Sequence, residues 1–531
     1  MKNTFDYLII GAGPAGLQMG YLLGQQGRSY LILDEGAKPG GFFQKMPRHR
    51  TLISINKVYT GTDDAELNLR WDWNSLLTED DFRFTSYTDD YFPSPAVLRR
   101  YLQDFAKKYD INIQYKTKVT RVSKEGDSFR VKDSQNRVYK SPCLIVATGV
   151  SKEYIPDIPG IHLCETYGSH SLDRRKYRNK RVMIIGKGNS GFETADHISG
   201  VAAVIHVVSP NSIHMAWETH FVGNLRAINN NFLDTYQLKS QNAAIDATVE
   251  RISKKDGKFL VKIAYSHANG QTRELEYDKV IVCTGFRFDD SIFDVDCRPE
   301  LAHKGRLPAQ TSAWESVNVS GLYFAGTLMQ ACDYKKTMSG FIHGFRHNLP
   351  ALTRILDERY FSAAWPAEII PATPQAVLEK VIQRINTSPG IFLQPGFLSD
   401  VIVVDHEQVQ AMCYRDVRKD HIPNSFLRKH PDYYVVSLEY GKHSGNPFMV
   451  ERDPDPEQAH MAFYLHPVIR RFSRKELVSV HHINDDLENE WTLPEYVNPA
   501  KAFFKQQFKS HPMPESSLRG QKRSARKKAR A

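Results

Sequence analysis

The chain has 531 residues, 41% of them apolar and 24% charged, the proportions of a water-soluble protein of two to four domains. It contains no run of about 18 apolar residues, so no membrane span is expected. Its net charge of +10 is concentrated at the end: Arg519 to Ala531 carry seven Lys or Arg and no acid, which leaves only +3 for everything else.

In chain order, the apolar run Tyr7-Leu8-Ile9-Ile10 predicts a strand, followed at once by Gly11-Ala12-Gly13-Pro14-Ala15-Gly16 and a helix. The first glycine permits the tight turn, the second lets a pyrophosphate approach the backbone, and the third lets helix and strand pack closely. A second strand, Tyr30-Leu31-Ile32-Leu33, ends in Asp34-Glu35, about 20 residues past the glycines, where a carboxylate accepts from ribose hydroxyls. The early start of this first strand leaves no room for a signal peptide, and a cytoplasmic location is expected. Residues 95–109 read as an amphipathic helix and 111–141 as small β-strands. Leu144-Ile145-Val146-Ala147-Thr148-Gly149 then reads as a buried strand ending in a Thr-Gly turn.

The pattern repeats. Val182-Met183-Ile184-Ile185 precedes Gly186-Lys187-Gly188-Asn189-Ser190-Gly191, 175 residues after the first motif. Val280-Ile281-Val282-Cys283-Thr284-Gly285 ends in a second Thr-Gly turn, and a further strand ends at Gly326. Two dinucleotide motifs in one chain are the arrangement of an enzyme that passes electrons from a nicotinamide to a flavin. The expected class is α/β: a discontinuous FAD-binding Rossmann-like domain (1–150 and 280–365), an inserted NAD(P)-binding Rossmann-like domain (151–279), a C-terminal α+β region (366–512) and a basic disordered tail (513–531). The expected FAD contacts are Gly11, Gly13, Pro14, Ala15, Gly16, Asp34, Glu35, Thr148, Gly149 and Gly326. Those for NADPH or NADH are Gly186, Gly188, Asn189, Ser190, Gly191, Thr284 and Gly285. A helix from about Met338 to Asp357, after Gly326, is expected to aim its N-terminal amides at the anionic edge of a reduced flavin, with Lys335 and Lys336 just before it.

The six cysteines form no CxxC pair and no zinc knuckle. His466, His481, His482, Asp485 and Asp486 fit no standard metal spacing, so no metal is expected. The basic tail is a solubilising arm, with non-specific contact to nucleic acid as the only such contact expected. A small-molecule substrate is expected, and a homodimer is left open.

Gly186-Lys187-Gly188-Asn189-Ser190-Gly191-Phe192-Glu193, Phe92-Pro93-Ser94 before a helix, and the two Thr-Gly turns resemble the flavin-containing monooxygenase branch of the two-dinucleotide-binding flavoproteins. Longer stretches, Pro47 to Lys57, Trp71 to Leu77, Leu225 to Asn230, Asp234 to Ser240 and Gly340 to Arg346, are similar to the FAD-dependent oxidoreductase domain-containing flavoproteins of the endoplasmic reticulum associated with degradation. Those relatives are made with a signal peptide and kept in that compartment. Neither feature is expected in this chain, so their role in degradation is not carried over.

The resemblance implies a flavin C4a-hydroperoxide, formed with molecular oxygen, that oxygenates a nucleophilic nitrogen or sulfur. Asn56 would lie beside flavin C4a, with Lys57 next to it and Arg226, among Trp217, His220, Asn229 and Asn230, lining the substrate or nicotinamide site. One departure is the monooxygenase fingerprint Phe-x-Gly-x-x-x-His, where Cys164, Thr166 and His170 stand and only the His is kept. Two other readings stay open: an NAD(P)H-dependent flavin reductase or oxidase without oxygenation, and a flavin-bound scaffold that binds partners. No arginine follows the second strand of the second motif, where Ser209-Pro210-Asn211-Ser212 stand, so NADPH and NADH both stay open.

Overall fold

The computed structural model describes residues 3–238, 242–441 and 449–509; the basic tail lies outside the described residues. The chain divides into two compact units. One comprises Met1–Val58 and Asp72–Ile342, the other Tyr59–Trp71 and His343–Ala531.

The first unit holds two nucleotide-type sheets. In the first, strands run in the order Leu322–Phe324, Cys143–Val146, Tyr7–Ile10, Tyr30–Leu33, Ile113–Gln114, all parallel. Their side chains are almost all apolar and nearly all buried, which is what a parallel sheet covered on both faces demands. The helix Pro14–Gln25 crosses from the first strand to the second, and Pro95–Lys108, capped by Ser94, buries Leu98, Tyr101, Leu102 and Phe105. The expected small strands are Val119–Glu125, Ser128–Asp133 and Val138–Ser141, in one antiparallel sheet.

The second sheet is inserted between Cys143–Val146 and Leu322–Phe324. Its parallel part runs in the order Ala243–Lys255, Val204–Ser209, Arg181–Ile185, Lys279–Val282, Glu165–Thr166, and two antiparallel strands extend it at the Ala243–Lys255 side. In both sheets the strand preceding the glycine motif sits where the strand order reverses, the position at which open α/β sheets bind ligands. The fold is thus α/β with one nucleotide domain inserted in another.

The second unit is built on a six-stranded antiparallel sheet, in the order Glu368–Pro371, Gln410–Arg418, Leu398–Asp405, Asp432–Glu439, His466–Ser473, Glu476–His482. The helices Pro374–Thr387 and Pro494–Lys509 close a core around Val377, Ile385, Ile402, Trp491 and Phe504. The excursion Tyr59–Trp71 is fastened inside this unit. Arg70 donates to the Ile385 carbonyl at 2.7 Å, the Leu69 carbonyl accepts from Arg346 at 2.6 Å, and Glu66 pairs with buried Arg384, which also pairs with Asp400.

One element differs in register from expectation. Gly326–Cys332 is a 3-10 helix, and the long helix runs Ile342–Phe361, four residues later than its periodicity predicts. Asp333 explains the delay: its carbonyl accepts from the Lys336 amide at 2.8 Å and its carboxylate accepts from Thr337, folding 333–337 into a turn.

Candidate dinucleotide sites and their surroundings

At the first motif, Gly11 has φ +105, and a methyl there would lie 2.8 Å from the Ala147 carbonyl oxygen on the neighbouring strand. A methyl at Gly16 would lie 1.9 Å from the Gly11 carbonyl oxygen, whereas one at Gly13 would meet nothing within 4 Å. The motif is therefore closed on its protein side and open where a phosphate would sit. Gly13 caps the helix with no side chain of its own, and Pro14 at the first helical position removes one amide from the set facing outwards. Asp34 holds the floor: its carboxylate accepts from the Ala12 amide at 2.6 Å and the Gly36 amide at 2.7 Å. Burial pushes this carboxyl above its ordinary range, against the pull of those two amides. A carboxylate has about four acceptor positions, so capacity for ribose hydroxyls is left. Glu35 is exposed, as is Thr148, while Gly149 turns the chain at φ +63.

The second motif repeats this geometry with other side chains. Gly186 has φ +120, with a hypothetical methyl 2.2 Å from the Cys283 carbonyl oxygen; one at Gly191 would lie 2.2 Å from the Gly186 oxygen, and Gly188 is open. Thr284 donates to the Tyr154 carbonyl, and Gly285 turns at φ +86. Asn189, the first residue of the helix Asn189–Ile198, has its amide engaged with a neighbouring segment. It donates to the Gly223 and Asn224 carbonyls and accepts from the Arg226 amide at 3.0 Å and the Asn229 amide side chain at 2.9 Å. It thus pins the 223–229 segment to the motif. The Ser190 carbonyl accepts from Thr194 within the helix. Lys187, almost fully buried, pairs with Asp246 and donates to the Asn211 carbonyl; Ser212 donates to the same carboxylate at 2.8 Å. Open glycines, converging backbone amides and a turn at each strand end fit a dinucleotide pyrophosphate at both places.

The structure brings Asn56 and Arg226 into one neighbourhood. Asn56 is 2% exposed. Its backbone amide donates to the Tyr91 carbonyl at 2.9 Å, its side-chain amide donates to the Thr88 carbonyl at 2.6 Å, and its Oδ1 is buried with no hydrogen-bond partner among the described residues. An isolated bridge pairs Asn56 with Asp72, and the next residue, Trp73, carries the Arg226 guanidinium over its ring at 4.8 Å. Lys57 is exposed, and Trp217 is half exposed. Lys335 and Lys336 are both exposed. In the second unit the histidines are engaged with protein: His466 and His482 share a 3.0 Å hydrogen bond, His481 stacks on Phe503, and Asp485 pairs with Arg452.

Sequence reasoning missed a buried polar cluster behind the second motif. Tyr167 donates to Glu193 and accepts from the Arg48 amide, while the Arg48 guanidinium donates to the Tyr167 and His170 carbonyls at 2.8 and 2.7 Å. Burial raises Glu193 to about 7 and lowers His49, which lies against His197 and His170, to about 3. A signal existed: Glu193 stands as far past its glycines as Gln18 does past its own, and Gln18 is also buried, bonded to both polar atoms of the Leu77 backbone.

Residues 8–326 match the pyridine nucleotide-disulphide oxidoreductase family model. The chain belongs to that family. A pyridine nucleotide-disulphide oxidoreductase of this kind is paired with FAD and NAD(P)H, and the two motifs fit them. Over 92% of its length the chain is 35% identical to the FAD-dependent oxidoreductase domain-containing protein 2 of Mus musculus, covering 82% of that protein. Its fold is similar to a flavin-containing monooxygenase from Stenotrophomonas maltophilia, with TM-score 0.51 and 22% identity over 68% of this chain and 99% of the other. It is equally similar in fold to the bacillithiol disulfide reductase of Staphylococcus aureus, with TM-score 0.51 and 18% identity over 68% and 100%. None of the six cysteines stands in a disulfide, and four of them are buried. No helix among the described residues is long and apolar enough to cross a membrane.

Proposed function

We propose that the protein is an FAD-dependent, NAD(P)H-using monooxygenase that oxygenates a nucleophilic nitrogen or sulfur of a small substrate. The observation that carries this reading is Asn56: an amide buried to 2% exposure, its Oδ1 without a partner among the described residues, in the neighbourhood of the Trp73–Arg226 contact. An orphaned polar atom at such depth costs about 1–3 kcal/mol unless a bound group satisfies it. When bound, FAD supplies the two-electron and oxygen chemistry that no side chain here can supply. The glycine motifs seat the two pyrophosphates, and Asp34 orients the adenosine ribose of FAD. Buried Leu52 and Asn56 belong to the segment that keeps water from the reacting centre.

One observation favours the alternative, a flavin reductase or oxidase: the Asn56 side-chain amide already donates to Thr88. The two are separated by reducing the protein without oxygen, mixing it with aerated buffer and following the flavin spectrum. A monooxygenase gives a transient band between those of oxidised and reduced flavin, and Asn56→Ala shortens its life and diverts NAD(P)H oxidation to peroxide. Direct return to oxidised flavin in the wild type, unchanged in Asn56→Ala, would replace this reading with the reductase.

A further inference from the structure

Arg226 is a partly buried arginine whose charge has no acidic partner among the described residues. Its backbone is fixed: the amide donates to Asn189 Oδ1 at 3.0 Å, and the preceding residue, buried Leu225, bridges to Met215. Its side chain is fixed too, with the guanidinium 4.8 Å above the Trp73 ring. Among the described residues no carboxylate pairs with it, and the ionisable group nearest in effect is the Tyr91 phenol. Loss of water around the guanidinium holds its pKa below the ordinary arginine range. A cation–π contact uses the charge of the guanidinium and not its N–H groups, and those five donors can take a carboxylate or phosphate two at a time.

The surroundings say where such an anion belongs. Through Asn189 the segment is tied to the open end of the second glycine motif. Through Trp73, Asp72 and Tyr91 it is tied to Asn56. All of these residues belong to the first unit. We propose that Arg226, its guanidinium over the Trp73 ring, is the anion seat of this site, taking an oxyanion of the bound molecule through paired N–H donors. This rests on the functional reading above. Two molecules at that site bring an oxyanion: the nicotinamide coenzyme through a phosphate, and an organic substrate through a carboxylate.

The test is calorimetric titration of oxidised, FAD-loaded protein with NADP⁺ and, separately, with phenylacetate, using phenylacetamide as the uncharged control. Wild type, Arg226→Gln and Arg226→Lys are compared, and the flavin spectrum of each confirms that it remains folded. At least one anionic probe is expected to bind Arg226→Gln about 10- to 100-fold more weakly, with partial recovery in Arg226→Lys and no change for phenylacetamide. Loss confined to NADP⁺ supports the seat and assigns it to the coenzyme; loss confined to phenylacetate supports it and assigns it to a substrate carboxylate. Wild-type affinity of Arg226→Gln for both anions would overturn the seat, as would failure of both to bind the wild type. No turnover is read, so an absence of oxygenation would count against the functional reading and leave this result standing.

Discussion

The two glycine motifs share a backbone and differ in nearly every side chain around it. In both, the first glycine lies under the carbonyl before a Thr-Gly turn, the third packs on the first, and the second faces open space. Around the first motif the partners are local and rigid: Pro14 at the helix start, Asp34 tying the turn to its strand, Gln18 bonded to backbone. At the matching positions of the second stand Asn189, Ser209 and Glu193. These reach a neighbouring segment, a loop carbonyl and a tyrosine. The repeated part is what any pyrophosphate needs. The divergent part suits a group held permanently at one site and a group exchanged at each turnover at the other.

The largest effect that sharpens this comparison is steric. Gly16→Ala and Gly191→Ala each drive a methyl to 1.9 and 2.2 Å from a backbone oxygen. Each should cost about 3 kcal/mol, seen as a fall in denaturation midpoint. If only one of the pair is sensitive, the two motifs are not equivalent scaffolds.

Next comes charge. Glu193 takes its proton more readily in the folded state, at about 7 against an ordinary 4.5. Stability should therefore fall as pH rises from about 4.5 to 7 and level off above. Glu193→Gln, which keeps an acceptor for Tyr167, should remove that dependence and gain about 2 kcal/mol at pH 8 with little change at pH 4. Urea unfolding at the two pH values reads both; a less stable variant at pH 8 would show that the carboxylate is satisfied as an anion.

The smallest expected effect concerns the coenzyme. Ser209 occupies the place of Asp34 and presents no negative charge to a ribose 2′-phosphate. Ser209→Asp should shift the ratio of NADPH to NADH efficiency about tenfold toward NADH. An unchanged ratio would place the adenosine ribose away from this strand end.

Much of this fold could be read from sequence because parallel strands buried on both faces are written as unbroken apolar runs: Tyr7 to Ile10 and Val182 to Ile185 leave little choice. The glycines were legible for the same reason, since few other residues tolerate those turns. What could not be read depends on distant partners. Tyr59–Trp71 looks like a loop of the first domain, yet Arg70 finds its acceptor 315 residues away. Nothing in Asn189 itself shows that its amide holds residues 223 to 229. The placement of Asn56 is likewise set by acceptors far along the chain, the Thr88 and Tyr91 carbonyls.

The central claim is that the second motif delivers reducing equivalents to a flavin held by the first. Gly188 is open, so Gly188→Asp leaves the fold intact and sets a carboxylate where the coenzyme pyrophosphate would lie. The measurement is the anaerobic rate of flavin bleaching in that variant, by NADPH, by NADH and by dithionite. The account predicts a yellow, FAD-loaded protein that dithionite reduces normally and that either nicotinamide reduces at least 100-fold more slowly than wild type, an increment of about 3 kcal/mol in the barrier. Bleaching by NADPH or NADH at the wild-type rate would contradict it.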